Sequence, residues 1–272
     1  MASQTPASGE YVLATGPAAV RRLRALHAIY APMGRRTLLE AGLKPGMKVA
    51  DLGCGVGMVT NMLSEMVGPE GHVTGVDLNA PQLIEARENC AASGLNNTTF
   101  VEASACQTGL PRNSFDLVYC RFLLLHLTDP ADCLREMFEI LKPGGILVVE
   151  DGDLATVTSV PPGPTEHFAT LFAKLGEARG LNYSLCHHVY HMVLKTGFEV
   201  INVDIHQPVL FDSETRMLPT WSIQECGPAL AKEGILTEDE HRQVIEEMRG
   251  AAEDPNCLML GVLMYIVSAR KP

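Results

Sequence analysis

Three glycines, Gly53, Gly55 and Gly57, stand in the run Val49-Ala50-Asp51-Leu52-Gly53-Cys54-Gly55-Val56-Gly57, between a strand-like apolar stretch and a helix-like one. Glycines so placed let a nucleotide-like ligand lie against the backbone, where side chains would block it. Asp77 ends the next apolar stretch, 24 residues after Gly53. A carboxylate there can accept hydrogen bonds from both hydroxyls of a ribose. A dinucleotide would call for GxGxxG, but the third glycine comes one residue early and position 58 is Met.

Elements of alternating type must position these residues. Strand-like runs fall at Met47 to Leu52, His72 to Val76, Thr98 to Val101, Phe115 to Arg121 and Ile146 to Glu150. Helix-like runs fall between them, at Met58 to Val67, Pro81 to Ser93 and Pro130 to Leu141. Asn79 is suited to cap the Pro81 helix, Pro81 to open it and Gly94 to stop it. Continuous apolar strands alternating with helices predict a mostly parallel sheet covered on both faces. Upstream, residues 1 to 10 read as a loose tail, and two helices are expected, Pro17 to Tyr30 and about Pro32 to Ala41. Downstream come a Pro-rich loop (154–164), helices near 165–179 and 184–195, a strand from Phe198 to Ile205, and a polar excursion with two helices. A last apolar strand runs from Cys257 to Ala269.

Composition narrows the function. With 46% apolar residues the chain can bury a full core, and its net charge of -11 disfavours a general binder of nucleic acid. No apolar run approaches the roughly 20 residues of a membrane helix. No signal segment is read at the N-terminus, and eight scattered cysteines without CxxC pairs suit a reducing, cytoplasmic setting.

Five blocks together carry a resemblance. They are the glycine run, Gly75-Val76-Asp77-Leu78-Asn79, Ser114-Phe115-Asp116-Leu117-Val118 leading to Arg121, His126-Leu127-Thr128-Asp129-Pro130, and Leu141-Lys142-Pro143-Gly144-Gly145. In this order and spacing the chain resembles the class I S-adenosylmethionine-dependent methyltransferases, in particular those acting on small molecules, closely over about residues 40 to 150. The resemblance implies a Rossmann-like α/β fold of seven strands in the order 3-2-1-4-5-7-6, strand 7 antiparallel, with helices on both faces. It also implies an N-terminal helical lid and a helical cap. Residues 1–42 would be tail and lid; residues 43–272 would form the S-adenosylmethionine domain, with insertions at about 154–195 and 206–256.

The same resemblance implies a cofactor site. Gly53, Cys54, Gly55 and Gly57 would approach the methionine part and the ribose, Asp77 would hold the ribose hydroxyls, and Leu78 and Gln82 would lie beside the adenine. Ser104 and Ala105 occupy a place where many members read Asp-Ala, so the charge on the adenine amino group is missing here. Arg121 would contact the cofactor carboxylate or hold its loop, and Tyr11, in the lid, would contact the cofactor.

Among the remaining residues, Asp51 is either a cofactor contact or a backbone cap. Asp116 reads as structural. His126 is the candidate general base, set in an apolar context. Glu150, Asp151 and Asp153 follow strand five, where doubly wound sheets open their sites, and one of them is a candidate to face the acceptor or a cation, although solvated loop carboxylates are the default there. His187 and His191 share a helix face without the glutamate of a zinc-protease motif, so no metal is expected. The expected reaction is in-line transfer of a methyl group from S-adenosylmethionine, leaving S-adenosylhomocysteine, to O, N or C of a small organic acceptor enclosed by Phe168, Phe172, Tyr183, Tyr190 and Trp221. A peptide acceptor would need an open groove, and a noncatalytic partner subunit would not need the glycines and Asp77. A homodimer fits the apolar composition.

Overall fold

The computed structural model describes residues 17–272; the Tyr11 expectation lies outside them. Its centre is a seven-stranded sheet of β1 (Lys48–Leu52), β2 (His72–Asp77), β3 (Thr98–Glu102), β4 (Phe115–Arg121), β5 (Leu141–Asp153), β7 (Glu199–His206) and β10 (Leu263–Arg270), ordered β3-β2-β1-β4-β5-β10-β7. The first five strands are parallel, and β10 runs antiparallel to both β5 and β7. Counting strands of this sheet alone, the order is 3-2-1-4-5-7-6, as the resemblance implies.

Strand side chains alternate between two cores. Leu117, Tyr119 and Val148 face α1 (Pro17–Ala41) and α2 (Met58–Val67), whereas Val118, Cys120, Leu147 and Val149 face α4 (Pro130–Ile140) and α6 (Cys186–Thr196). All seven are fully buried, and each such aliphatic side chain contributes roughly 1.5 to 3 kcal/mol relative to exposure. Between β2 and β3, α3 (Ala80–Ala92) is capped as expected: the Asn79 side chain accepts from the Gln82 amide at 3.1 Å.

Four features depart from the sequence reading. One continuous helix, α1, replaces the two expected before residue 42, with Pro32 inside it. Proline removes a hydrogen bond to the carbonyl four residues back, here that of Ala28. Ala28 and Pro32 are both exposed, so water can serve that carbonyl, while Tyr30, Ala31 and Leu38 on the other face are buried. The last apolar run is likewise two strands, β9 (Leu258–Leu260) and β10. Gly261 breaks it: a Cβ there would lie 3.0 Å from Pro208 and 3.3 Å from the Tyr30 hydroxyl, and that hydroxyl donates to the Val262 carbonyl at 2.9 Å.

The third departure is a second sheet, in the order β6-β9-β8, built from β6 (Thr158–Val160), β9 and β8 (Val209–Leu210). It joins α5 (Glu166–Arg179), α7 (Ser213–Arg216), α8 (Leu218–Lys232) and α9 (Glu238–Glu253) in a cap with its own apolar core, including Phe168, Phe172, Ile223 and Met248. The excursion therefore holds three helices, one of a single turn, and one short strand, β8. β5 also starts earlier than expected, at Leu141, because a register shift in its pairing with β4 absorbs Lys142 to Gly145.

Candidate active site

The loops leaving the C-terminal ends of β1, β2, β3, β4 and β5 converge on one cavity of about 430 Å3, roofed by α1 and closed by α5, α8 and β8. That size is usual for a site holding small organic ligands. Its lining includes Gly53, Cys54, Gly55, Asp77, Leu78, Gln82, Ser104, Ala105 and Arg121, and also His126. Ten of the twelve residues read as cofactor-binding or catalytic thus line this one cavity.

The glycine loop is built for backbone exposure. Gly53 and Gly55 have φ of 71° and 53°, the left-handed region that glycine enters without strain. A Cβ on Gly53 would lie 2.8 Å from Leu123, and one on Gly55 would lie 3.0 Å from the Gln82 side-chain oxygen. Gly57 has a different role from the one expected. It is off the cavity wall and buried against α3, where a Cβ would come 3.0 Å from the Cβ of Ala86. Its smallness serves the packing of α2 on α3.

Asp77 is fixed before any ligand binds. Its Oδ2 accepts from the Gly55 amide at 2.9 Å and its Oδ1 from the Asn79 amide at 2.8 Å. Burial pushes its pKa up, against the pull of those amides and that of Leu78. Ser104 holds its own turn, its hydroxyl accepting from the Cys106 amide at 3.2 Å. Arg121 donates through Nη2 to His27 Nδ1 of α1 at 3.1 Å, while its buried Nη1 has no hydrogen-bond partner among the described residues. Burial, then the charges of Arg121 and Arg35, hold His27 near a pKa of about 4, so the imidazole is the neutral acceptor.

His126 rides on a strained turn. Phe122, at the start of that turn, has φ of 51°, uncommon for a bulky residue. Its ring packs edge-on to Tyr30 at 5.3 Å. The turn is pinned from below by Asp151, whose Oδ2 accepts from the amides of Leu124 at 2.7 Å and Leu125 at 3.3 Å. The His126 ring meets Tyr183 edge-on at 5.8 Å. Burial, and then the Arg22 charge, lower its pKa to about 4.

That shift has a testable sign. His126 binds its proton less readily in the native state than in the unfolded chain, so its contribution to stability is complete above about pH 6.5 and is lost as pH falls towards 4. Urea unfolding at pH 7 and pH 5 is expected to show lower stability at pH 5. In His126→Asn that pH slope is expected to shrink by up to one proton; an unchanged slope would contradict the assignment.

The other expected acids are placed as follows. Asp51 lies beneath the loop rather than in the cavity: it is buried, accepts from the Thr60 hydroxyl at 2.6 Å, and burial raises its pKa to about 7. Asp116 accepts from the Lys48 amide at 2.8 Å and pairs with Lys142 at 2.5 Å, far from the loops. Glu150, Asp151 and Asp153 are not solvated; all three are buried, and none lines the cavity. Glu150 accepts from the Tyr119 hydroxyl at 2.7 Å. His187 turns to Asp153, and His191 stands edge-on to Tyr190 at 5.2 Å, so the two histidines do not converge.

Of the expected aromatic enclosure, Phe168 and Phe172 line the cavity and Tyr183 backs Phe172 at 5.4 Å. Tyr190 and Trp221 do not line it. Sequence reasoning missed Arg22. This arginine of α1 lines the cavity with its side chain 4% exposed and pairs through Nε with Glu225 of α8 at 2.8 Å. It sits among Arg21 and Arg24 in the sequence, and only the helix phase, which groups it with Ala25 and Ile29, marks it as inward-facing.

Comparison with known proteins sets this geometry in context. The family model described as "Methyltransferase domain" matches residues 43–207. The chain is 40% identical over 116 residues to a ubiquinone/menaquinone biosynthesis C-methyltransferase of Shewanella sediminis, covering 42% of this chain and 46% of that protein. It is 37% identical over 117 residues to a demethylmenaquinone methyltransferase of Listeria monocytogenes, covering 43% and 49%. The chain thus matches under half the length of these curated relatives. Among solved structures, a SAM-dependent methyltransferase from Aquifex aeolicus shares the fold with a TM-score of 0.54 at 23% identity, covering 70% of this chain and 92% of that one. A phosphoethanolamine N-methyltransferase of Haemonchus contortus, solved with S-adenosylhomocysteine, shares it with a TM-score of 0.58 at 18% identity, covering 92% and 57%.

Proposed function

The chain belongs to the methyltransferase-domain family, its match spanning residues 43–207, and from that premise we propose that it transfers a methyl group from S-adenosylmethionine to a small, largely apolar organic acceptor. The observation that carries this reading is the continuity of one cavity, from the bare glycine backbone and Asp77 to an enclosure lined by Leu26, Leu125, Phe168 and Phe172. The names of the curated relatives favour a carbon of a quinol-type ring as the methylated atom.

The residues fit the cofactor. The Gly53–Gly55 backbone offers a wall that a Cβ would fill, Asp77 offers a carboxylate for the ribose, and Arg121 Nη1 offers a buried donor suited to a carboxylate. Ser104 offers a hydroxyl in place of the usual charge. Bound there, S-adenosylmethionine supplies a methyl group made electrophilic by its sulfonium.

The chain's main task is then alignment in a dry space. Helix α1 and the cap exclude water, and the apolar walls orient the acceptor. His126 stands neutral at the inner wall, able to receive a proton from the acceptor. The enclosure also disfavours a peptide acceptor, which needs an open groove. The net charge of -11 disfavours nucleic acid. No described helix is long and apolar enough to cross a membrane.

Titration calorimetry with S-adenosylmethionine, S-adenosylhomocysteine and NADH tests the donor, with binding expected for the first two and none for NADH. Methyl transfer from labelled S-adenosylmethionine to a panel of quinols and phenols tests the acceptor. His126→Ala is expected to keep cofactor affinity within about twofold while turnover falls on the order of 100-fold or more. Binding of NADH alone would overturn the donor assignment.

A further inference from the structure

Outside the cavity, three donors of different chemistry meet where β5 ends and α6 begins. Asp153 is the last residue of β5, and Cys186 and His187 are the first two of α6. One carboxylate oxygen, the Cys186 Sγ and a ring nitrogen of His187 lie within 4.8 Å of one another. Asp153 and Cys186 are buried, whereas the His187 side chain is 47% exposed.

Neighbouring groups orient each flanking donor. Asp153 Oδ1 is taken up by the Ala155 amide at 3.0 Å and the Ser184 hydroxyl at 2.6 Å. Its Oδ2 is left facing His187 Nε2 at 2.7 Å. The other ring nitrogen of His187, Nδ1, meets the Tyr265 hydroxyl of β10 at 2.9 Å. A partner on the far ring nitrogen is the arrangement that fixes the tautomer and direction of metal-binding histidines.

We propose that Asp153, Cys186 and His187 form a binding site for one zinc-class transition-metal ion, separate from the cofactor cavity. The donor set selects the class of metal. A thiolate, an imidazole and one carboxylate suit a borderline-soft ion, while calcium and magnesium require shells of oxygen. Ligand bonds of about 2.0 to 2.3 Å around a tetrahedral ion place donors within roughly 4 Å of each other. The three atoms, now within 4.8 Å of one another, would have to adjust to that spacing by side-chain rotation. The exposed edge of His187 gives an entry path and leaves a fourth position to water. Because Leu154, next along the chain, lines the cavity, the ion would tie the cavity wall to α6.

Cobalt(II) is the probe. The purified full chain, stripped with chelator, is titrated with Co2+ and followed by absorption. One equivalent is expected to give a thiolate-to-cobalt charge-transfer band and tetrahedral d–d bands, both displaced by Zn2+. Cys186→Ser should lose the charge-transfer band. His187→Gln, a change at an exposed side chain, should weaken binding by well over tenfold. Tyr265→Phe should weaken it by roughly tenfold. Absence of the band in the wild-type chain would show a hydrogen-bonded network only, and a band unchanged in both Cys186→Ser and His187→Gln would place the metal elsewhere; either result overturns the proposal.

Discussion

Replacing Asp77 by alanine is expected to remove most of the affinity for S-adenosylmethionine while leaving the chain folded. Each hydrogen bond between a ribose hydroxyl and a carboxylate contributes roughly 1.5 to 3 kcal/mol, so losing even one weakens binding by roughly tenfold to a hundredfold. The loss is compounded in the free protein. Asp77 also accepts from the amides of Gly55 and Asn79, and without it the glycine loop and the start of α3 lose their common anchor. Asp77→Asn should fall between the two, since an amide has one oxygen to share among donors that now use two. Calorimetry on variants whose circular dichroism matches the wild type checks this. Near-wild-type affinity in Asp77→Ala would remove the ribose assignment.

The second large effect concerns stability. Arg22 and Glu225 pair at 2.8 Å with side chains only 4% and 8% exposed. Removing one partner of a buried pair leaves a charge in a poor solvent and costs on the order of 3 to 5 kcal/mol. Glu225→Leu alone is therefore expected to destabilise strongly in urea unfolding. The double variant Arg22→Met with Glu225→Leu should recover most of that loss, because two apolar side chains need no compensation. A single substitution costing under about 1 kcal/mol would mean that water reaches the pair, as it does at the surface.

The parts of this fold that follow from local pattern were legible in the sequence. The mostly parallel sheet and the ends of α2 and α4 follow from apolar runs, prolines and glycines acting on their immediate neighbours, whereas the order of the strands came from the family resemblance. The wall around Gly53, Gly55, Asp77 and Arg121 was legible because its residues sit at strand ends, where the sheet itself gathers them. What escaped depends on contacts between distant segments. Pro32 reads as a break until the burial of Tyr30 and Leu38 against the sheet overrides it. β9 is separated from β10 only by the approach of Pro208 and Tyr30 to Gly261. Arg22 looks like one of several surface arginines until Glu225, on another helix, comes beside it. Tyr190 and Trp221, by contrast, were read as enclosing the acceptor on residue type alone, and neither reaches the cavity.

Gly57, the N-cap of α2, meets α3 at Ala86, where a methyl group added to the glycine would come 3.0 Å from the Cβ of Ala86. A side chain at position 57 would push α2 and α3 apart. Shrinking Ala86 to glycine would not open the position, because the Cα and carbonyl oxygen of residue 86 would still lie 3.2 and 3.4 Å from a Cβ on residue 57, whose φ of 79° disfavours a side chain in any case.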